Sequence, residues 1–472
     1  MAGMVESPGE IPAAADLGRV HLMGIGGAGM SGIARILLAR GGSVSGCDAK
    51  ESAALAALRA LGAEIAVGHD PSHADAADTV VVSSAIRAGN PELQRAREVG
   101  RLVLPRAAVL ASVMADRIGL AVAGTHGKTT TTSMLTVAMH ACGLDPSYAI
   151  GGDLNEPGSN AHHGHGEYFV AEADESDRSF LLLSPRGAVI TNVEPDHLDN
   201  YGDAGAVGAA FEDFVRRIDV GGPLLLGADD PGSLALVDLA RDRGLDVRTF
   251  GLASAADVRV DDLQVNGSGS SFDLVAGGRR LGRVELAVPG AFNAVNAAGA
   301  LGLGLAVGLP FADLARGLAG FSGARRRFEL KGIARGVRVF DDYAHHPTEV
   351  ARGALVAARA AARDGRVIAV FQPHLYSRTE AFAADFGAAL GGADVVVVME
   401  VYAAREDPLP GVTGGLIASA VPLPPERVYF EPSWAAVPGL VAGLAEPGDV
   451  IVTIGAGDVT MLGPALLDEL SR

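Results

Sequence analysis

Gly124-Thr125-His126-Gly127-Lys128-Thr129-Thr130 is the stretch of sequence that decides the fold of this 472-residue chain. It follows an apolar run at 118–123, which predicts a buried strand, and it precedes residues 133–139, which predict a helix. A glycine-rich turn between a strand and a helix presents backbone N–H groups to an anion, and a lysine and a threonine add a charge and a hydroxyl for magnesium. Val122 stands where a strict phosphate loop has its first glycine. The stretch nevertheless predicts a nucleotide triphosphate site rather than a solvated turn.

Composition places the chain among folded proteins with several domains. At 472 residues it is too long for one core, so two to four domains are expected. Hydrophobic residues make up 49% and charged residues 20%, which is typical of a soluble globular protein. The net charge of −18 argues against a broad nucleic-acid footprint, so no nucleic-acid partner is expected.

Cysteines and apolar segments indicate the compartment. Cys47 and Cys142 are too few and too distant for a disulfide framework or a cysteine-based metal cluster, which predicts a cytoplasmic location. Residues 1–16 lack the apolar core of a signal peptide and predict a loose tail. Residues 288–312 are the least polar stretch, but asparagines, a proline and many glycines within it predict a buried helix and not a membrane span.

Three segments of similar size alternate strand and helix signals, which predicts an α/β protein of three domains. We place their bounds at 18–113, 114–324 and 325–472. In the second segment, residues 258–265, 272–275 and 283–288 alternate apolar and polar side chains and predict a small antiparallel sheet. The other predicted strands are 20–23, 44–46, 65–67, 80–82, 102–104, 118–123, 187–191, 223–226, 337–340, 367–371, 395–399 and 450–454.

The first segment contains the glycine pattern Gly24-Ile25-Gly26-Gly27-Ala28-Gly29 directly after its first strand. The pattern fits a dinucleotide fingerprint, and Asp48 lies at the distance expected for a ribose contact. It predicts a phosphate on a helix end, and either a nicotinamide or flavin cofactor or a nucleotide-sugar diphosphate would satisfy it. Ser83 and Ser84, after a later strand, are hydroxyl donors for the same ligand or a helix cap.

Acidic side chains follow two apolar runs of the second segment, residues 168–171 and 187–191, which indicate strands. Glu172, Asp174, Glu175 and Asp177 would repel one another unless a cation neutralises them. Behind a phosphate loop, this favours ligation of Mg²⁺, which takes one or two carboxylates together with phosphate oxygens. His197 lies in a second acidic stretch after the next strand, and a metal or substrate role is favoured for it.

Further polar groups lie on one helix and at the start of the third segment. Asn293 and Asn296 share a helix face, where they either cap the helix or contact an adenine edge. Arg326 lies in an arginine triplet at a predicted domain joint, where an arginine can reach a γ-phosphate or remain a surface charge. Residues 341–346 and 372–378 are polar clusters at strand ends, where parallel sheets bind ligands.

Taken in order, these motifs resemble those of the Mur ligase family over nearly the whole chain from residue 18 onward. The motifs that carry the resemblance are Gly24-Ile25-Gly26-Gly27-Ala28-Gly29-Met30-Ser31-Gly32, Gly124 to Thr130, Glu172 to Asp177, Glu194 to Asp199, Asp341 to Pro347 and Gln372 to Arg378. The resemblance implies a Rossmann-like N-terminal domain, a central P-loop-type ATPase domain with a mainly parallel sheet, and a Rossmann-like C-terminal domain that closes over the substrate. It implies joining of an amino acid, here expected to be L-alanine, to UDP-N-acetylmuramate, with ATP and Mg²⁺, in peptidoglycan precursor synthesis.

The resemblance also implies roles for individual residues. For ATP these are Gly124, Thr125, His126, Gly127, Lys128, Thr129, Thr130, Asn293 and Arg326. For magnesium they are Thr129, Glu172 and His197. For the UDP-sugar they are Gly24, Gly26, Gly27, Ala28, Gly29, Met30, Ser31, Asp48, Ser83, Ser84 and His374. For catalysis they are Lys128, His197, His345, His346 and Arg378. Leu375 departs from the basic residue that many relatives carry, and the chain is expected to be a monomer or homodimer.

Three alternatives differ in what they bind. A recycling ligase would attach a whole peptide to the same UDP-sugar, and the motifs barely distinguish it. A nicotinamide-dependent oxidoreductase would rest on residues 24–29, but it has no use for the phosphate loop at 124–130. A nucleotide-gated binding protein without catalysis would leave the acidic and histidine clusters at strand ends unexplained.

Overall fold

The computed structural model describes residues 11–83, 86–151, 159–196, 198–266, 269–321, 323, 325–404 and 406–472, without the side chains of 198, 199, 204 and 266. The chain divides into two compact units. The first takes in the chain up to residue 261 together with 273–282 and 295–320, and the second takes in 262–272, 283–294 and 321–472. In the part of the chain that is described, no helix is both long and apolar enough to cross a bilayer.

The first sheet has five parallel strands in the order β3-β2-β1-β4-β5. Its strands are short apolar runs, which suits a parallel sheet covered on both faces. The strands are β1 (Val20–Met23), β2 (Val44–Asp48), β3 (Glu64–Val67), β4 (Thr79–Val82) and β5 (Leu102–Pro105). The helices of this region are α1 (Ala28–Ala39), α2 (Ala53–Ala60), α3 (Pro91–Glu98) and α4 (Arg106–Met114).

The second sheet has ten strands in the order β15-β14-β13-β12-β11-β10-β6-β9-β7-β8. Its central strands are parallel, and β7 pairs antiparallel with β8. Two residues join β14 to β15, which requires an antiparallel pair. The strands are β6 (Ile118–Ala123), β7 (Ser147–Ala149), β8 (Ala161–His162), β9 (Tyr168–Glu172), β10 (Gly187–Ile190), β11 (Pro223–Gly227), β12 (Asp246–Gly251), β13 (Val258–Asn266), β14 (Gly269–Ala276) and β15 (Arg279–Leu286).

The helices that accompany the second sheet begin with one that directly follows the phosphate loop. They are α5 (Lys128–Ala141), α6 (Leu198–Tyr201), α7 (Ala204–Arg217), α8 (Pro231–Leu234), α9 (Val237–Asp242), α10 (Ala291–Ala306) and α11 (Phe311–Ala319). One hydrophobic cluster in the first unit runs continuously from Leu22 and Val109 to Phe169 and Phe211. The first sheet and the centre of the second therefore share one core.

The third sheet belongs to the second unit and has the order β16-β17-β21-β18-β19-β20. Among the described strands of this sheet, only the edge pair β16–β17 is antiparallel. The strands are β16 (Glu329–Ala334), β17 (Val337–Asp342), β18 (Val367–Phe371), β19 (Val395–Val398), β20 (Val428–Phe430) and β21 (Val450–Ile454). The helices are α12 (Pro347–Glu349), α13 (Leu355–Ala362), α14 (Tyr376–Leu390), α15 (Gly414–Ala420), α16 (Val437–Leu444) and α17 (Leu462–Ser471).

The predicted fold class is confirmed, because three α/β sheets follow one another and antiparallel pairs are a minor component. In all three sheets, residues predicted to bind ligands follow the carboxyl ends of parallel strands, the edge where α/β proteins bind ligands. The proposed domain bounds at 113/114 and 324/325 stay a prediction, and residue 324 lies outside the described part of the chain.

Candidate active site

The phosphate loop connects β6 to α5 and is held by the segment after β10. Gly127 caps α5 with φ +83°, and Gly124 has φ +133°. The His126 amide donates to Asn192 Oδ1 at 2.8 Å, and Thr191 Oγ1 donates to the His126 carbonyl at 2.5 Å. Hydrogen bonds to the segment after β10 therefore fix the shape of the loop, and its helix end can receive an anion.

Position 127 requires glycine for two reasons, its positive φ angle and the close approach of Asn296. A Cβ atom there would lie 2.6 Å from Asn296 Oδ1 on α10. The predicted adenine contact Asn296 is thus packed against the loop, where its amide has a structural use as well.

Lys128 lies among the carboxylates that the sequence grouped together. Its Nζ donates to Glu175 Oε1 at 2.9 Å and to the Gly124 carbonyl at 2.7 Å. Burial would lower the pKa of Lys128, but Glu175 and Asp174 outweigh burial and help to raise it to about 12. The lysine is therefore a permanent cation at the loop, as a phosphate-binding group must be.

The pKa values of two carboxyl groups around Lys128 shift in opposite directions. Burial raises the pKa of Glu175 to about 7 despite the nearby ammonium. Burial acts to raise the pKa of Asp174 as well, but Lys128 and Arg106 hold it below its usual value. Asp174 therefore stays ionised near neutrality, whereas Glu175 can accept a proton.

The predicted magnesium ligands Thr129 and Glu172 meet directly. Thr129 Oγ1 donates to Glu172 Oε1 at 2.9 Å, and the Gly151 amide donates to Glu172 Oε2 at 2.6 Å. His197, the third predicted ligand, lies outside the described residues, as does Ser84. A hydroxyl and a carboxylate beside a phosphate loop are oxygen donors of the kind that Mg²⁺ prefers, so this pair fits the ion.

The glycine pattern after β1 forms the predicted turn into α1. Gly24 has φ +78°, and the Gly26 amide donates to Asp48 Oδ2 at 2.9 Å. Asp48 thus holds the turn in this structure. Ser31 Oγ donates to the Ala28 carbonyl at 3.0 Å, as a helical serine commonly does.

A cavity of about 250 Å³ brings the two predicted loops of the first unit together. Among its lining residues are Gly27, Ala28, Gly29, Met30 and Ser83 from the first sheet region and Glu172, Asp174, Ser176 and Asp177 from the second. The glycine-rich turn and the acidic strand end therefore face the same space, where one ligand can contact both.

Arg106 and Asn160 also line this cavity, and sequence reasoning missed both. Arg106 Nη2 lies 3.9 Å from Asp174 Oδ2, and Asn160 Nδ2 donates to the Ala28 carbonyl. Arg106 opens α4 directly after β5, so the rule that ligands bind at strand ends was the available signal. Asn160 lies in a stretch without periodicity and gave no signal.

In the second unit, Arg326 is held by its own surroundings. Its guanidinium donates to the carbonyls of Gly455 and Gly457 at 2.6 and 3.1 Å, and Nε donates to Asp341 Oδ2 at 3.2 Å. It also lies 4.8 Å from the ring centre of Tyr343. Contact with a phosphate would have to break or extend this network.

The predicted catalytic residues His345 and His346 lie after β17, and His374, predicted to bind the UDP-sugar, lies after β18. The His345 ring is 6.3 Å from the His374 ring, and His374 stacks on Tyr402 at 5.7 Å. His346 caps α12 and packs against Phe382.

Two more predicted residues of the second unit are buried polar side chains. Arg378 is buried in α14, two residues from the start of that helix. Asn293 on α10 donates to the Pro289 carbonyl at 2.7 Å, which satisfies part of its amide within the fold. Leu375 is buried, with φ +73°.

Models of the Mur ligase family match most of the chain: the catalytic domain over residues 19–118, the middle domain over 122–304 and the glutamate ligase domain over 326–457. The chain belongs to the Mur ligase family. A UDP-N-acetylmuramate–L-alanine ligase of Acidothermus cellulolyticus is 58% identical, over 97% of this chain and 96% of its own length.

Two solved structures are similar over almost the whole chain. The UDP-N-acetylmuramate–alanine ligase of Thermotoga maritima has a TM-score of 0.79 at 29% identity, covering 95% of this chain and 98% of its own. The murein peptide ligase of Psychrobacter arcticus has a TM-score of 0.70 at 26% identity, covering 96% and 99%.

Proposed function

We propose that this chain joins L-alanine to the lactyl carboxylate of UDP-N-acetylmuramate, splitting ATP to ADP and phosphate through an acyl phosphate. The observation that carries the proposal is the cavity lined by both Gly27 to Gly29 and the acidic stretch from Glu172 to Asp177. It supports a sugar nucleotide seated beside the triphosphate site. The Acidothermus cellulolyticus relative is named a UDP-N-acetylmuramate–L-alanine ligase and is 58% identical over nearly all of both chains. Its name supports L-alanine as the amino acid and UDP-N-acetylmuramate as the acid substrate.

The phosphate loop is assigned to ATP, the nucleotide that Mur ligases use. Lys128 and the amides of residues 124–130 would hold the β- and γ-phosphates, because they combine a fixed cation with a helix N-terminus. Thr129, Glu172 and His197 would hold Mg²⁺. When bound, the ion neutralises charge on the phosphates and orients them for in-line transfer.

The glycine-rich turn is assigned to the UDP part of the acid substrate. Backbone amides at a helix start suit a diphosphate, and Asp48 either contacts the ribose or keeps the turn in shape. The residues assigned to this part are Gly24, Gly26, Gly27, Ala28, Gly29, Met30, Ser31, Asp48, Ser83, Ser84 and His374.

The reaction needs activation of a carboxylate and a neutral amine. A carboxylate is a poor electrophile, and phosphorylation gives it a good leaving group. Lys128 would stabilise the transferred phosphoryl group electrostatically. His345 or His346 would take the proton of the attacking amine, because an imidazole titrates near neutrality. Arg378 would present the carboxylate.

The remaining assignments carry over the sequence predictions. Asn293 and Arg326 would contact ATP. The domains would run 18–113 for the UDP-sugar, 114–324 for ATP and 325–472 for ligation. We place the enzyme in the cytoplasm, where UDP-N-acetylmuramate and ATP would be available, as a monomer or homodimer.

The deciding experiment measures phosphate release with UDP-N-acetylmuramate, ATP and Mg²⁺ while the amino component is varied. The proposal expects turnover with L-alanine and much weaker turnover with the stem tripeptide. Preference for the tripeptide would instead make the chain a recycling ligase that attaches a whole peptide, and the Psychrobacter arcticus structure is named as a murein peptide ligase. Fluorescence titration with NADH tests the oxidoreductase alternative, for which the proposal expects no binding.

A further inference from the structure

Five side chains that can bind metals, three histidines, one cysteine and one glutamate, converge on the face of the first sheet opposite α1. His21 on β1 and Cys47 on β2 point to this face because strand residues alternate sides, and Met23 lies level with Cys47 in the parallel register. Glu92 comes from the first turn of α3, and His69 and His73 come from the connection between β3 and β4.

The Glu92 carboxylate is the centre of this group and is fully buried. His21 Nε2 lies 2.7 Å from Oε1, and His73 Nδ1 lies 3.1 Å from the same oxygen. Cys47 Sγ lies 3.0 Å from Oε2, and His69 Nδ1 lies 2.8 Å from it. Three imidazoles and a thiol therefore surround one carboxylate.

We propose that His21, Cys47, His73 and Glu92 form a tetrahedral binding site for one divalent transition-metal ion, with Zn²⁺ best matched to the donors, and that His69 supports the Glu92 carboxylate beside it. This site is separate from the magnesium site proposed at the phosphate loop, because nitrogen and sulfur donors suit zinc and oxygen donors suit magnesium.

The distances fit a single ion. One ligand atom from each of His21, Cys47, His73 and Glu92 lies within 4.8 Å of all the others. In a tetrahedral zinc site, bonds of about 2.0–2.3 Å place the ligand atoms roughly 3.3–3.8 Å apart. The separations of 2.7–3.1 Å from Glu92 are slightly shorter, so modest spreading of the side chains would admit the ion.

The charge also fits. A thiolate from Cys47 and the Glu92 carboxylate would together balance a divalent ion, and the binding would release the thiol proton to solvent. A neutral site is what a buried position requires, because an uncompensated charge there is costly.

Ser45 already orients one of the donor side chains. His21 Nδ1 lies 2.9 Å from Ser45 Oγ, its neighbour in the parallel register, which leaves Nε2 facing Glu92. Such an outer partner commonly fixes the ring of a metal-binding histidine. The side chains of His69 and His73 are each about a quarter exposed and give an ion a route from solvent.

The site is coupled to the glycine-rich turn through Cys47. Its carbonyl accepts hydrogen bonds from the amides of Gly24 at 2.8 Å and Ile25 at 3.1 Å. An ion bound to the Cys47 side chain would therefore tether the strand end that carries this turn, and we expect metal binding to raise the melting temperature.

The test titrates the full-length, chelator-treated chain with Co²⁺ in excess Mg²⁺, which occupies sites built from oxygen ligands. We expect one equivalent to bind with tetrahedral d–d absorption and a thiolate-to-cobalt charge-transfer band, and Zn²⁺ to displace it. Cys47→Ser should abolish the charge-transfer band, whereas Cys142→Ser, the matched control at the other cysteine, should keep it. Ser45→Ala should weaken binding by about 10–100-fold through loss of the outer partner.

Three outcomes would overturn the assignment, and the first needs no variant. It is a titration of the wild-type chain that gives no thiolate band or no stoichiometric equivalent of bound cobalt. The second is loss of the band in Cys142→Ser and its retention in Cys47→Ser. The third is binding of Co²⁺ by His73→Gln as tight as that of the control His165→Gln, in which the replaced side chain is almost fully exposed and outside the cluster.

Discussion

Thr129 Oγ1 donates a hydrogen bond of 2.9 Å to Glu172 Oε1, which joins the first turn of α5 to the end of β9. The pairing arises because β6 and β9 are parallel neighbours, with Val122 level with Glu172. The hydroxyl and carboxylate therefore share the edge of the sheet that also carries the phosphate loop.

Glu172→Gln tests whether this pair holds magnesium. The amide keeps the size of the side chain and one acceptor oxygen, but it removes the negative charge that attracts the ion. We expect the Mg²⁺ concentration for half-maximal ADP release to rise by at least about tenfold. Glu212→Gln, at an exposed position on α7, is the control. An unchanged magnesium requirement would exclude Glu172 as a ligand.

Lys128 is expected to be needed for phosphoryl transfer and not for the UDP-sugar. Lys128→Ala would leave the buried Glu175 without its cation, at a cost of about 3–5 kcal/mol. The double variant Lys128→Met, Glu175→Gln avoids this cost, because it removes the cation and its carboxylate partner together. We expect ADP release to fall at least about 100-fold, while calorimetry shows unchanged binding of UDP-N-acetylmuramate. Equal loss of both would argue against separate sites.

Gly124→Ala is expected to damage the phosphate loop specifically. Its Cβ would lie 2.0 Å from Thr191 Oγ1, in a backbone with φ +133°. Strain and overpacking together should destabilise the first unit by about 2–4 kcal/mol and abolish protection by ATP in thermal unfolding. Gly143→Ala at the end of α5 is the control, because its Cβ meets nothing within 4 Å. A similar effect of both changes would show that only φ matters.

Asp449→Asn should make the second unit less sensitive to acid. Burial acts to raise the pKa of Asp449, but hydrogen bonds from Arg366 and the Glu446 amide outweigh it and lower the pKa. The stabilisation is thus present above the unfolded pKa of about 3.9 and is lost as pH falls through the lower folded value. We expect a difference of about 1–2 kcal/mol at pH 7, discounted because Arg366 is partly exposed.

The interaction of Asp449 with Arg366 is tested by urea unfolding of the wild type and of Asp449→Asn at several pH values. Trp434, the single tryptophan of the chain, lies in the second unit and reports its unfolding by fluorescence. The difference in unfolding free energy between wild type and Asp449→Asn should narrow progressively as pH falls below the unfolded pKa of about 3.9. A constant gap would mean that the carboxylate charge contributes nothing.

Buried strands were predictable because a strand covered on both faces is a continuous apolar run. β1, β6, β18 and β21 match their predicted bounds residue for residue. β12 (Asp246–Gly251) and the edge strand β16 mix polar and apolar residues without clear alternation, and neither was predicted.

The order of residues along the chain was enough to identify the phosphate loop, the glycine-rich turn and the acids at strand ends, because each is a local pattern with a local physical meaning. The order of the strands in the sheets decided which residues far apart in the sequence contact one another. Arg106 reaches Asp174, and Glu92 reaches His21 and Cys47, only because parallel strands and their crossover helices bring distant positions level. Such neighbours depend on register and packing between segments, which no local pattern contains.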